Sequence, residues 1–369
     1  MRRRIGIFVL IVQSILCLIH FFLYATWTFF RDEAGTQDHL ILQLAIAVLS
    51  VSFVAASLLA YRYSNLFVRI YYTISAMWLG FVNFGFLAAC ASWIIYGGLR
   101  IFGLHADRPL LAASFLGLAI LATIYGIVNA YWIRVKKITV KLPNLPESWR
   151  GRVAAQVSDL HLGHIQNLEF VRRTIAKLTR LKPDAVFITG DLFDGLAVDI
   201  DRVSKPWTEV AAPLGTYFIT GNHEEFSDRT KYLNPLRRSG VRVLDNEKII
   251  VDGLQIVGVH DADTRSAARF RSLLDRAALD RHRASILLVH EPRHLNLAEQ
   301  AGISLQLSGH THRGQFFPFT RIVARIYKQY AYGLHTFGQL MVYTTCGTGT
   351  WGPPMRVGTY PEIVLIRFE

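Results

Sequence analysis

Cysteine is nearly absent from this chain, with three in 369 residues. Cys17 and Cys90 fall inside long apolar runs, leaving Cys346 alone in the remainder. No disulfide framework within one chain can brace that remainder, and a thiolate zinc site is excluded there. Charge is absent from four stretches, residues 5–30, 40–61, 70–99 and 110–133, each longer than the roughly 20 residues that cross a bilayer as a helix. With no Asp, Glu, Lys or Arg inside them there is no intramembrane ion path or proton relay, which points to an anchor rather than a transporter. Helix-turn-helix, zinc-finger and RNP patterns are also missing, so nucleic acid is disfavoured as a partner. No internal repeat or low-complexity tract is present.

What is present divides the chain at about residue 134. Aromatic residues suited to a membrane interface flank the apolar runs, among them Trp27, Phe30, Tyr61, Trp93, Tyr131 and Trp132. The first run is longer than a cleavable signal core and lacks a clear small-residue cleavage site, so it reads as a retained helix. Nine basic residues (Arg2, Arg3, Arg4, Arg62, Arg69, Arg134, Lys136, Lys137 and Lys141) flank one side of the spans, against three (Arg31, Arg100 and Arg108) on the other. That bias places the N-terminus and the long C-terminal portion in the cytoplasm. Of the net charge of +13, +9 falls from Arg134 onward. A basic body beside a bilayer suits anionic head groups and phosphorylated substrates. The expected organisation is four transmembrane helices over 1–133, a basic linker and first strand over 134–150, and an α/β domain over 151–369.

The α/β expectation rests on alternating patterns. Residues 138–142 and 153–157 read as strands, and apolar positions 168, 171, 175, 178 and 181 have the spacing of an amphipathic helix. Short apolar strands recur over 185–189, 217–220, 286–289 and 304–308, and residues 267–278 read as a helix. Residues 241–244, 248–251 and 255–259 read as a β meander, and 340–344 and 362–368 as closing strands. Alternation of strands and helices implies a layered domain whose site lies at the carboxyl ends of the strands.

Those strand ends carry the chemistry. The run 153–157 leads to Ser158-Asp159-Leu160-His161; the next leads to Gly190-Asp191 with Asp194 three residues on. Then come Gly221-Asn222-His223-Glu224, His290-Glu291 and Gly309-His310-Thr311-His312. Any one residue has an ordinary explanation as a capping Asp or a core His. Eight of them (Asp159, His161, Asp191, Asn222, His223, His290, His310 and His312) at five successive strand ends do not. Carboxylate, imidazole and amide ligands suit manganese, iron or zinc. They are too many for one catalytic ion with open positions, whereas a carboxylate such as Asp191 can bridge two ions.

In this order the blocks resemble the calcineurin-like metallophosphoesterase superfamily. The resemblance implies two central β-sheets packed face to face and flanked by helices, and two divalent ions, manganese first, with iron or zinc as alternatives. It implies that Asp159, His161, Asp191 and His312 hold one ion and Asp191, Asn222, His290 and His310 the other. His223 would be the general acid, oriented by Asp194. Residues 309–315, Gly347-Thr348-Gly349, Pro353-Pro354-Met355-Arg356 and Pro361-Glu362-Ile363 further resemble membrane-associated bacterial phosphodiesterases and transmembrane proteins with a metallophosphoesterase domain. That branch implies a bacterial inner-membrane location and a phosphodiester or pyrophosphate of a lipid-linked substrate, a phospholipid or UDP-2,3-diacylglucosamine type, cleaved by metal-activated hydroxide. Gly195 stands where serine/threonine phosphatases of the superfamily carry Arg, which disfavours protein phosphatase activity. Arg313 and Arg356 are candidate phosphate contacts. Residues 316–332, rich in aromatics and cations, read either as an interfacial segment or as a cover over the site. A phosphodiesterase of soluble nucleotides merely tethered to the membrane, and a non-catalytic scaffold, are the alternative readings. The scaffold would need a missing ligand, and none is missing.

Overall fold

A computed structural model describes residues 2–31, 37–226 and 228–369. Its internal contacts group the chain into two compact units, Met1–Val128 with Gly352–Met355, and Asn129–Trp351 with Arg356–Glu369.

In the first unit lie α1 (Arg2–Arg31), α2 (Gln37–Arg62), α3 (Leu66–Ile101) and most of α4 (Arg108–Tyr131). Among the described residues these four are the helices long and apolar enough to cross a membrane. Many of their large apolar side chains are exposed, as expected where lipid is the solvent. Three polar pairs join the helices: the Trp78 indole donates to His20 Nε2 at 2.9 Å, Trp93 donates to Thr26 Oγ1 at 3.0 Å, and Gln43 donates to the Tyr24 hydroxyl at 2.8 Å. Helix–helix hydrogen bonds of this kind stabilise a bundle.

The second unit runs β1 (Arg134–Val140), β2 (Val153–Val157), α5 (Leu168–Leu181), β3 (Ala185–Thr189), α6 (Ile200–Ser204), β4 (Thr216–Ile219), α7 (Thr230–Arg238) and β5 (Arg242–Val243). It continues through β6 (Glu247–Val251), β7 (Leu254–Gly258), α8 (Asp261–Thr264), α9 (Ala267–Arg276), β8 (Ser285–Leu288), α10 (Leu295–Gln300) and β9 (Leu305–Ser308). It closes with α11 (Phe319–Tyr327), β10 (Gly333–Phe337), β11 (Leu340–Thr344) and β12 (Glu362–Phe368). Two six-stranded mixed sheets result, ordered β1-β12-β2-β3-β4-β5 and β10-β11-β9-β8-β7-β6.

Side-chain alternation builds three layers of core from these strands. In β2 and β3, Ala154, Ala185 and Phe187 face the inter-sheet core with Ile286, Leu288, Leu305 and Leu307 of the second sheet. The alternate residues Ala155, Val157, Val186 and Ile188 pack under α5 through Val171, Ile175 and Leu178. On the far side of the second sheet, Val257 and Leu287 pack against Phe270, Leu273 and Leu274 of α9. Helix α5 begins where Asn167 accepts the Glu169 N–H at 2.8 Å, an N-cap that the spacing alone does not reveal.

Two sequence expectations change. The segment read as a basic linker is already strand: β1 starts at Arg134 and pairs in parallel with β12. It is an edge strand, and Lys136 and Lys137, on opposite faces, are both exposed, which made it look like a linker. The three strands read as one meander divide between the sheets. Only β6 and β7 form a hairpin, while β5 adds in parallel to β4 of the first sheet.

Candidate metal centre

Five strands, β2, β3 and β4 of the first sheet and β8 and β9 of the second, end beside one another. Immediately after them the backbone turns through left-handed conformations at Asp159 (φ 53°), His161 (φ 50°), Asp191 (φ 49°), His310 (φ 68°) and His312 (φ 46°). Non-glycine residues seldom adopt this region, and a run of them at one spot is strain the surrounding fold must hold. Glycines make the approach feasible. A Cβ at Gly309 would collide with the side chains of Ser158 and Asp159. One at Gly190, itself at φ 88°, would lie 2.6 Å from the Gly221 nitrogen.

The side chains converge in three groups, two made of the expected ligands and a third of His161, Asp194 and His223. Asp159, His161 and His312 each offer a ligand atom within 4.8 Å of the others, as do Asp191, His290 and His310. In the first group His161 Nε2 faces His312 Nε2 at 3.0 Å, and Asp159 Oδ1 lies 3.3 Å from His312 Nε2. In the second, Asp191 Oδ2 lies 3.0 Å from His290 Nε2, and His310 Nδ1 lies 3.2 Å from His290 Nε2 and 2.9 Å from Asn222 Oδ1. Asp191 stands between the groups, its Oδ2 also 3.9 Å from His161 Nε2 while its Oδ1 accepts the His223 N–H at 2.8 Å.

The donor set suits cations. Burial, the Arg356 guanidinium and His161 hold His312 well below the usual imidazole value, and burial with His290 lowers His310 to about 3. Both are therefore neutral rings, the form that ligates metal. Burial opposes charge on His290, but Asp191 and Asp159 outweigh it and raise the ring to about 10. The buried carboxylates thus draw positive charge into the place where the nitrogens converge.

His223 lies at the edge of this centre. Its Nδ1–H donates to the backbone carbonyl of Asp194 at 2.8 Å, leaving Nε2 facing inward, 4.0 Å from Asp191 Oδ2. Burial disfavours its charged form, yet Asp191 and Asp194 together raise its pKa above the ordinary imidazole value. The Asp194 carboxylate lies between two rings, 3.5 Å from His161 Nδ1 and 3.7 Å from His223 Nδ1. The closest grip of Asp194 on His223 is therefore through its carbonyl, and its carboxylate also stands behind His161, as outer-shell partners stand behind metal-bound imidazoles.

Arg313 is exposed, with its guanidinium 4.7 Å from the Tyr332 ring. Arg356 is fully buried. Its Nη1 donates to the His312 carbonyl at 3.0 Å and its Nη2 to the Gly349 carbonyl, 3.2 Å from His312 Nδ1. The arginine read as a phosphate contact is committed to the backbone that carries His312. Glu224 received no role from the sequence beyond its place in the motif. It is fully buried and accepts three backbone N–H groups, from Asp191, Phe193 and Gly221. It clamps the β3 and β4 ends together, and burial with the nearby Asp191 raises it to about 7. Its signal was an acid directly after the motif histidine His223, which composition cannot separate from a surface glutamate. Among the histidines outside the motif, His260 is buried: its Nδ1 accepts the Thr220 N–H at 3.1 Å and its Nε2–H donates to Asp245 at 3.0 Å.

A family profile described as calcineurin-like phosphoesterase matches residues 153–314. An uncharacterized metallophosphoesterase of Aquifex aeolicus is 31% identical over 259 residues, 68% of this chain and 98% of that one. An uncharacterized metallophosphoesterase of Campylobacter jejuni is 31% identical over 64% of this chain and 63% of its own length. A Danio rerio transmembrane protein with metallophosphoesterase domain is 34% identical over 67% of this chain and 60% of its own length. The chain thus spans about three fifths of these last two relatives.

Proposed function

Because the chain belongs to the calcineurin-like metallophosphoesterases, a family of metal-dependent phosphoester hydrolases that use two divalent ions, we propose that it hydrolyses a phosphodiester or pyrophosphate bond of a lipid-linked substrate. The reading places the site on the cytoplasmic face of a bacterial inner membrane. The observation that carries the chemistry is the pair of converging ligand groups around Asp191. Asp159, His161 and His312 would hold one ion, and Asn222, His290 and His310 the other, with Asp191 shared. Manganese is the first expectation for both.

When bound, two such ions supply Lewis-acid chemistry: water activation near neutral pH and compensation of charge on the phosphate oxygens. This chain's residues do the rest. His223, fixed through Nδ1 by the Asp194 carbonyl, holds a proton at Nε2 for the departing oxygen, a general-acid contribution of roughly 10²- to 10⁴-fold. Asp194 keeps both His161 and His223 in register. Glu224 holds the backbone that aims Asp191. Arg356 holds the turn that aims His312. Arg313, exposed close to the motif, is left as the candidate phosphate contact.

The lipid-linked reading is supported by four apolar helices on the same chain and by the net +9 of residues 134–369. To test it, the full chain in detergent would be assayed on bis(p-nitrophenyl) phosphate, dispersed phospholipids, UDP-diacylglucosamine and cyclic nucleotides, with and without chelator. Metal-dependent turnover highest on a lipid is expected, and His223→Ala should lose it while retaining metal. Equal or better turnover of nucleotides would replace the lipid reading with the soluble-substrate one. Turnover that survives complete removal of metal would overturn the chemistry itself.

A further inference from the structure

Helix α11 follows directly on the ligand motif, yet none of its residues is buried. Phe319, Ile322 and Ile326 fall on one face at helical spacing and are 45%, 47% and 65% exposed, and Phe317 just before them is 46% exposed. Arg321 and Arg325 lie beside that row, and Lys328 follows it. A row of large apolar side chains left in water costs free energy, whereas apolar residues flanked by cations match the interface of a bilayer.

The charge of the segment that carries the helix is one-sided. Between Glu299 and Glu362 the sequence holds no acidic residue, while Arg313, Arg321, Arg325, Lys328 and Arg356 fall within that interval. Arg313, Arg321 and Lys328, with Phe317 and Tyr332, line a cleft of about 470 Å³. Open cations over aromatic walls suit a phosphate head group with its acyl stem. The helix is also wired to the metal centre. The Tyr327 hydroxyl donates to Glu291 at 2.8 Å, and the other Glu291 oxygen lies 3.7 Å from His310 Nε2.

We propose that α11 is an interfacial helix that lies in an anionic bilayer surface, its Phe319–Ile322–Ile326 row among the acyl chains and its cations and cleft on the lipid phosphates. The chain is already tethered by its apolar helices, so a bilayer is always at hand. Docking in this way deepens the lipid-linked reading and rests on it for its purpose, since it brings head groups to the side of the centre where His310 lies. Arg321, Arg325 and Lys328 make the docking depend on lipid charge.

The test uses the full chain in nanodiscs, with Cys17→Ser and Cys90→Ser and the buried Cys346 left in place. Nitroxide labels at Ile322→Cys, Ile326→Cys and, as an exposed reference on β6, Ile250→Cys would be compared by power saturation with oxygen and a water-soluble nickel complex. In discs rich in phosphatidylglycerol the labels at 322 and 326 should become oxygen-accessible and shielded from nickel. Arg321→Glu with Arg325→Glu should return them to water, and the reference label should not change. Labels at 322 and 326 as nickel-accessible as the reference, in anionic and zwitterionic discs alike, would overturn the proposal. Hydrolysis of bis(p-nitrophenyl) phosphate by the same samples separates the two failures: intact turnover with labels in water rejects the docking alone, and shielded labels without turnover support the docking while rejecting the hydrolase roles.

Discussion

The two ligand groups of the centre are alike in composition and differ in what stands behind them. Asp159, His161 and His312 are enclosed, and the backbone carrying His312 is held by Arg356, a fully buried group with a permanent charge. Behind Asn222, His290 and His310 the support is more open. His310 keeps 29% of its side-chain exposure, Glu291 and Tyr327 form its outer contact, and His260 holds the β4 end two residues before Asn222. On the proposed function, the enclosed group would retain its ion and a substrate phosphate would approach the more exposed second group.

The largest effect should come from the residue that belongs to both groups. Asp191→Asn keeps the hydrogen bond from His223 N–H but removes the charge shared by the two clusters. Turnover is expected to fall by about 10³-fold, the upper end for losing one preorganised electrostatic group. Metal content should fall from two ions per chain, measured by elemental analysis of the purified protein. If Asp191→Asn retained two ions and full turnover, the clusters would be independent and the idea of a common carboxylate would be wrong.

Arg356→Met should separate the groups. It retains an unbranched stem and withdraws the donors on the His312 and Gly349 carbonyls, so the enclosed group alone loosens. Losing an outer support of this kind typically costs about 10- to 100-fold in metal affinity. A metal titration should therefore resolve two steps where the unmodified chain shows two tight ions, with only one step shifted. A uniform loss of both ions, or no loss, would mean that Arg356 serves the domain as a whole or takes some other role, such as the phosphate contact read from the sequence.

How far sequence alone reaches can be seen in the same residues. That these side chains would converge was legible because each follows a short apolar run, and five such endings in order leave little room for coincidence. The layered α/β architecture was legible from the same alternation. Which sheet each strand joins was not, because β5 is two residues long and its pairing with β4 is parallel and nonlocal. The work of Arg356 was hidden too: a guanidinium bound to carbonyls and one bound to phosphate look the same in sequence, and only burial separates them. The Asp194 carbonyl and the three donors on Glu224 are backbone contacts, and side-chain identity carries no trace of them. Aromatics mixed with cations flagged residues 316–332, but the exposed apolar row of the helix within them required coordinates.

The smallest effect concerns His260, and it tests whether the open group's support is the pH-sensitive one. Burial and the nearby Arg229 lower this ring to about 4, against an ordinary value near 6.5. Its hydrogen bonds require the neutral form, since Nδ1 accepts from Thr220 N–H and a proton there would oppose that donor. A group whose folded pKa is depressed contributes stability that is present above pH 6.5 and lost as pH falls from there toward 4. The shift corresponds to at most about 3 kcal/mol, lowered further by the residual exposure of its partner Asp245. Thermal melts of the chelated full chain should fall across this window. His260→Gln should be less stable at pH 8 and should show a flatter acid limb. Arg356→Met also withdraws the guanidinium that helps hold His312 below its ordinary value, so its acid limb changes through His312 and the test rests on His260→Gln. An acid limb in His260→Gln as steep as in the unmodified chain would overturn the titratable support assigned to the open group.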